Sequence, residues 1–268
     1  MVACASAEIG LQKARAGPVW MHMKLSNFGF ACGLLTWATL ASPASAAADG
    51  QTVDSILDRY VEASGGKAAL EKIKSRAVKG DIDLLGTTSD WQMSAKAPNK
   101  QLSELNSATL GVITDGFDGT VAWSKNQAGI RVKEGEELAK TKRDADFYRD
   151  VKFKILYPDL AYKGTEKVGD EEVRVLESRP SSSSRERFSF SSKSGLLIRQ
   201  ESELEGPQGK VIATVRLEDF RAVDGVKYPF NLKFKINTGG QDFEFGIKVK
   251  EVKHNLAIED AKFAKPAG

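Results

Sequence analysis

The sequence predicts a mainly β chain of the α+β class: a half-open antiparallel β-barrel with short N-terminal helices and one inserted lid helix. Three observations predict it. From Arg76 onward, apolar and polar residues alternate over short segments, the pattern of strands with one buried and one wet face. Turn-forming pairs rich in glycine punctuate those segments at hairpin intervals. Helical spacing is confined to residues 52–74 and 136–157.

The first residues read as a removable leader. Lys24 is a basic start, Phe28, Phe30, Leu34, Leu35, Trp37 and Leu40 form an apolar core, and Ala44-Ser45-Ala46 is a small-residue cleavage site. Cleavage is expected after Ala46, which divides the chain into a leader, 1–46, and a single domain, 47–268, exported to the periplasm. Met21 or Met23 is a better start than Met1. Cys32 sits early in the apolar core, without the leucine-led context of a lipidation site.

Composition excludes several chemistries. Cys4, Cys32 and His22 all fall in the leader, so the domain has no cysteine and one histidine, His254. A cysteine nucleophile and a disulfide are excluded, and a zinc centre has no ligand set, so neither a metal nor another cofactor is expected. A Ser-His-Asp arrangement has to use His254, which reads instead as a half-exposed residue at the end of the last strand. The chain carries 39 Lys and Arg against 36 Asp and Glu; removing Lys13, Arg15, Lys24 and Glu8 with the leader leaves 36 against 35, a net +1. That balance gives no footprint for nucleic acid.

In chain order, Thr52 or Asp54 caps a first helix with Val53, Ile56, Leu57, Tyr60 and Val61 on one face. Gly65-Gly66 breaks it, and a second short helix follows with Leu70 and Ile73 facing inward. Gly65-Gly66-Lys67 lacks the upstream glycine and the hydroxyl of a phosphate loop. Strands are then expected at 76–85, 89–97, 101–106, 110–114, 120–124, 130–133 and 173–178. Asp115-Gly116-Phe117-Asp118-Gly119 lacks the ligand spacing of a calcium loop and reads as a tight turn.

Between Glu136 and Tyr157, Phe147, Tyr148, Val151 and Ile155 share a helical face, and Tyr157-Pro158 ends the run. A helix inserted between strands is a natural lid. Ser181 to Ser184 reads as a flexible polar loop. Ser194-Gly195, Gly206-Pro207-Gln208-Gly209 and Asp224-Gly225 then separate consecutive antiparallel strands. In the last hairpin a two-residue turn at Gly239-Gly240 pairs Ile236 with Phe243, Phe234 with Phe245 and Leu232 with Ile247, and places Lys235 opposite Glu244. In all, about ten strands in a meander that curls into a partial barrel are expected.

The order of these features resembles a known family. Helix, strands, Lys96-Ala97-Pro98-Asn99, Thr114-Asp115-Gly116 with Gly119 and Trp123, the strand pair around Ser194-Gly195, and Asp260-Ala261-Lys262-Phe263 with Pro266 are similar to the periplasmic lipoprotein carriers and outer-membrane lipoprotein-sorting proteins, LolA and LolB. The resemblance covers nearly all of the domain. It implies a half-open barrel whose concave face, covered by helices, binds lipoprotein acyl chains, with no catalysis and no cofactor. In the carriers an arginine stands just before the Pro of the Lys-x-Pro-Asn stretch and latches the lid. Here that position is Ala97, so a relative with another apolar ligand fits equally well.

The leading expectation is therefore a non-catalytic monomer binding an acyl chain or other apolar ligand. Trp91, Met93 and Trp123 would line the barrel, and Phe147, Tyr148, Val151 and Ile155 the covering helix. The partners it implies are a lipid or lipoprotein acyl chain, with an envelope protein or membrane surface for delivery. The alternative is an envelope interaction module with a packed barrel, whose lysine-rich face at Lys227, Lys233, Lys235, Lys248, Lys250 and Lys253 meets an anionic partner. A hydrolase using paired carboxylates is the weakest reading, because no spacing singles out a pair.

Overall fold

The computed structural model describes residues 50–84, 86–206 and 209–267; the leader and its cleavage site after Ala46 lie outside the described residues. Thr52 caps α1 (Val53–Ala63). Its hydroxyl accepts from the Ser55 amide at 3.0 Å, while the Ser55 hydroxyl accepts from the Thr52 amide at 2.9 Å. Ile56, Leu57 and Tyr60 are its buried face. The helix ends where Gly65 and Gly66 take φ of +122° and +82°. Gly65 also has no room for a side chain, since a Cβ there would sit 2.3 Å from the Gly225 carbonyl oxygen. Then comes α2 (Lys67–Lys72), with Leu70 and Ile73 buried.

The strands before the lid are β1 (Ser75–Leu84), β2 (Thr87–Lys96), β3 (Lys100–Ser107), β4 (Gly111–Phe117), β5 (Ala122–Asn126) and β6 (Gly129–Val132). After it come β7 (Ala161–Val168), β8 (Glu171–Ser181), β9 (Ser184–Ser191), β10 (Leu197–Gly206), β11 (Gly209–Val223), β12 (Val226–Thr238) and β13 (Gln241–His254). All pair antiparallel in one sheet, in the order β6-β5-β4-β3-β2-β1-β13-β12-β11-β10-β9-β8-β7. Two meanders are thus joined where β1 meets β13. A bulge between Lys79 and Gly80 interrupts that seam, and a Cβ on Gly80 would lie 2.4 Å from the Lys248 carbonyl oxygen. Among the described residues no ladder joins β6 to β7, so the barrel is half open.

This topology dictates the lid. The link from β6 to β7 runs from one free edge of the sheet to the other. It carries α3 (Gly135–Ala145), a 3₁₀ turn (Arg149–Val151) and α4 (Phe153–Leu156). Its buried Phe153 and Tyr157 belong to one hydrophobic cluster with Val78, Trp91, Met93, Phe188, Phe190, Leu217 and Phe234 of the sheet and Ile56, Leu57 and Tyr60 of α1.

The last hairpin has the register expected from its sequence. Ile236 pairs with Phe243, Phe234 with Phe245, Leu232 with Ile247 and Lys235 with Glu244 around Gly239-Gly240, whose φ values are +58° and +79°. Other expectations are corrected. The helix expected over 136–157 is two helices and a 3₁₀ turn, because Asp146 leaves helical geometry and its carboxylate accepts from the Tyr148 amide at 2.9 Å. Ser181 and Ser184 pair directly, so the serine run is a tight hairpin turn tied by hydroxyl contacts rather than a loop. The sheet has 13 strands instead of about ten. The unforeseen β7 is an edge strand on which only Val168 is buried, so it lacks apolar alternation.

Candidate functional site

Two clusters fasten the lid to the concave face. The first is apolar. Phe147 is buried against Leu70, Ile73, Ala95 and Val226, with Tyr148 and Val151 packed at its margin. The Phe147 amide donates to the Pro98 carbonyl at 2.9 Å, and the Arg76 guanidinium lies 5.6 Å from the Phe147 ring and 5.1 Å from that of Tyr228. Behind it, Arg76 donates to His254 Nε2 at 3.2 Å, so the Nδ1–H of His254 faces the Asp224 carboxylate at 3.0 Å. The imidazole itself is 1 % exposed, while the residue as a whole is half-buried at its strand-end position. Burial and the neighbouring Arg76 charge hold its pKa below the usual histidine value, against the opposing pull of Asp224.

The second cluster is polar and sits inside the apolar face. Arg149, 2 % exposed, lies within 6 Å of the Phe153, Tyr157 and Phe188 ring centroids and donates to Gln200 Oε1 at 2.8 Å. Lys140 donates to Asp144 at 2.6 Å and lies 3.4 Å from Glu186, which also accepts from Ser202 at 2.6 Å and Gln200 at 3.3 Å. The chain Lys140, Asp144, Arg149 of the lid is thereby clasped to Glu186, Gln200 and Ser202 of β9 and β10. Burial works against the Arg149 charge, yet the Tyr157, Asp144, Asp150 and Glu186 fields outweigh it and hold the guanidinium above its usual range. Burial likewise raises the Asp144 carboxyl, but Lys140, Arg149 and Arg143 pull it below the usual carboxylate value.

Beside this clasp a cleft opens between α1, the lid and β10 to β12. Polar groups of Tyr60, Ser64, Arg149, Asp150, Gln200 and Lys227 line it together with apolar Leu197, Leu217, Phe220 and Pro229. Its free space of about 20 Å³ holds little more than a water molecule, so this cleft is closed in the structure.

The residues expected to line a site are divided by the structure. Trp91 and Met93 are buried in the concave core, and Trp91 Nε1 donates to Ser103 at 3.0 Å. Trp123 is on the other face: it pairs with Gly116, Gly116 with Leu102, and Leu102 with Ser94, the neighbour of Met93. There it packs with Leu102 and Phe263 and donates to the Phe263 carbonyl at 3.2 Å. The C-terminal 3₁₀ turn (Asp260–Phe263) that covers it is pinned by Asp260, 2.8 Å from Lys96 and 2.7 Å from Lys100. Those two lysines face each other across β2 and β3 and hold the Asp260 carboxyl down at about 2. In the lid, Phe147, Tyr148 and Val151 reach the first cluster, while Ile155 is 77 % exposed. The buried phase is instead Arg149, Phe153 and Tyr157, at helical spacing of four. That spacing is visible in the sequence, but an arginine at its head disguises a core face.

No family model and no curated protein matches the sequence. Solved structures do match its fold. A putative outer membrane lipoprotein-sorting protein domain from Vibrio parahaemolyticus superposes with a TM-score of 0.56 at 13 % identity, covering 79 % of this chain and 97 % of that one. A DUF1329 family protein from Desulfovibrio piger gives 0.53 at 13 % identity, over the same shares of the two chains. A LolA superfamily protein from Nitrosomonas europaea gives 0.50 at 15 % identity over 80 % and 98 %. The half-open barrel with its helical crossover is a LolA-like fold.

Proposed function

We propose that this chain is a non-catalytic periplasmic protein that binds an acyl chain or similar apolar ligand between the concave face of the sheet and the lid. The observation that carries the reading is the crossover itself. A segment joining the two free edges of an open sheet covers an apolar face from Trp91 and Met93 to Phe188 and Leu217, and a lid of that kind can part from it without breaking a ladder. The likeness in fold to a putative lipoprotein-sorting domain supports the same reading.

Binding of a long chain in this cleft requires an open state, because the cleft as it stands has room for little more than a water molecule. The clasp favours such a two-state element. Burying the Lys140, Asp144 and Arg149 charges has a desolvation cost, and opening returns them to water, so the lid is held by geometry more than by net energy. A long acyl chain that takes its place contributes ~0.8 kcal/mol per methylene, on the order of 10 kcal/mol before ordering costs. Trp91 and Met93 would then line the bound chain, with Phe147, Tyr148 and Val151 on the lid. Titration with a fluorescent fatty acid is expected to give saturable, one-site binding with blue-shifted emission. Absence of binding, together with an empty lipid extract of the purified protein, contradicts the proposal.

The burial of the residues on the concave face favours one other reading, a packed envelope interaction module. Its basic face, however, is neutralised in place: Lys233 pairs with Glu218, Lys235 with Asp242, Lys248 with Asp83, Lys250 with Asp81 and Lys253 with Glu251. The container reading is preferred for that reason.

A further inference from the structure

Hydrogen-bond accounting at the clasp leaves a surplus of donors. Among the described residues, Arg149 Nε, Arg143 Nε and Nη2, and the Tyr157 hydroxyl are buried with no acceptor. The two guanidinium groups lie 5.9 Å and 5.8 Å from the same Tyr157 ring centroid, so these atoms belong to one locality. The nearby carboxylates are already engaged. Glu186 is held by Ser202, Gln200 and Lys140, Asp144 by Lys140 at one oxygen, and Asp150 by Tyr60 at 2.8 Å. One acceptor, Asp144 Oδ1, is left over, 3.7 Å from Arg149 Nη1. Three guanidinium nitrogens that can only donate, and a hydroxyl that can donate or accept, face one free carboxylate oxygen, an imbalance that a folded interior rarely keeps.

What is missing is an acceptor with several lone pairs, and negative charge suits a site whose unsatisfied groups are two arginines. The surroundings give that acceptor an apolar tail. Arg149 and Gln200, with Asp150, line the same cleft as Leu197, Leu217 and Phe220. We propose that the ligand is an amphiphile with an oxyanion headgroup, its carboxylate or phosphate received by Arg149 and Arg143 and its chain laid along Leu197, Leu217 and Phe220. This rests on the container reading and narrows it from any apolar molecule to an acidic lipid.

Water can fill the same acceptor positions, and the test separates the two. Dodecanoate, dodecan-1-ol and dodecyl phosphate have one chain length and differ in headgroup, and each competes for a neutral fluorescent probe of the cavity at pH 8. Because charge-assisted hydrogen bonds are the strong ones, the ionised ligands are expected to displace the probe at ~10-fold or more lower concentration than the alcohol. Preference for dodecanoate identifies a fatty acid site, and preference for dodecyl phosphate a phospholipid one. Arg149→Gln is expected to bring acid and alcohol within about threefold of each other. Should that variant fail to fold, Arg143→Gln, which removes a less buried partner, is expected to narrow the gap in the same direction, and the wild-type ratio needs no variant. Equal displacement by all three overturns the headgroup site and leaves the container reading standing. Failure of the probe and of every ligand to bind overturns both.

Discussion

At the scale of single residues, His254 and Gly116 show how the fold commits particular positions. His254 is wedged between Arg76 and Asp224, and its depressed pKa means that the folded protein binds a proton less readily than the unfolded chain does. The unfolded state therefore carries more protons once the pH falls below the ordinary histidine value of 6.5, and stability declines with acid through that window. Above it the histidine contributes no slope. As His254 is the only histidine of residues 47–268, urea unfolding between pH 7.5 and 5.5 is expected to show a falling midpoint in the wild type and a flatter one in His254→Gln. Gly116 is fixed by Trp123: a Cβ there would come within 2.3 Å of the indole. Gly116→Ala is expected to cost about 1–3 kcal/mol, read as a lower urea midpoint at unchanged slope. A wild-type midpoint would mean that Trp123 does not pack over that strand.

At the scale of elements, the lid has a phase that mutation can read. Phe153→Ala removes a side chain buried among Tyr60, Tyr157, Phe188 and Phe190 and is expected to cost about 3–5 kcal/mol, whereas Ile155→Ala on the exposed side should fall within about 0.5 kcal/mol. The reverse order would restore the helical face first inferred from Phe147, Tyr148, Val151 and Ile155.

The contrast between that segment and the last hairpin explains what the sequence reveals. Around Gly239-Gly240, turn chemistry, apolar alternation and the Lys235 to Glu244 pairing all specify one register, and the structure has it. In the lid, propensity and periodicity favour one long helix, and what breaks it is a tertiary arrangement: an arginine taken into the core by three aromatic rings and a clasp to Glu186 and Gln200. The face taken by Trp123 is hidden in the sequence for a related reason. Its position near the end of a strand does not reveal which face it takes, because the parity of that strand is set through Gly116 and Leu102. β7, an edge strand with one buried residue, has no apolar signal to read.

At the scale of the whole molecule, the thirteen antiparallel strands of the described residues leave two open edges, and the connection between those edges is the lid. A scaffold of this kind separates rigidity from motion. The seam of β1 with β13 holds the meanders together, while the crossover rests on side-chain contacts. Its backbone amides are accordingly expected to exchange hydrogen faster than those of β8 to β13, and to slow when a fatty acid binds. Uniform exchange across lid and sheet, unaffected by fatty acid, would argue for a permanently packed body. The paired lysines of the convex face lead to a further expectation: sedimentation with anionic vesicles should be weak even at low salt, and strong salt-sensitive binding would instead favour the interaction module. The most direct test of the container is native mass spectrometry of the protein purified without detergent. The account predicts a mass adduct that extracts as lipid and disappears on delipidation. A clean mass of the polypeptide alone, in a preparation that also fails to take up an acyl probe, would contradict it.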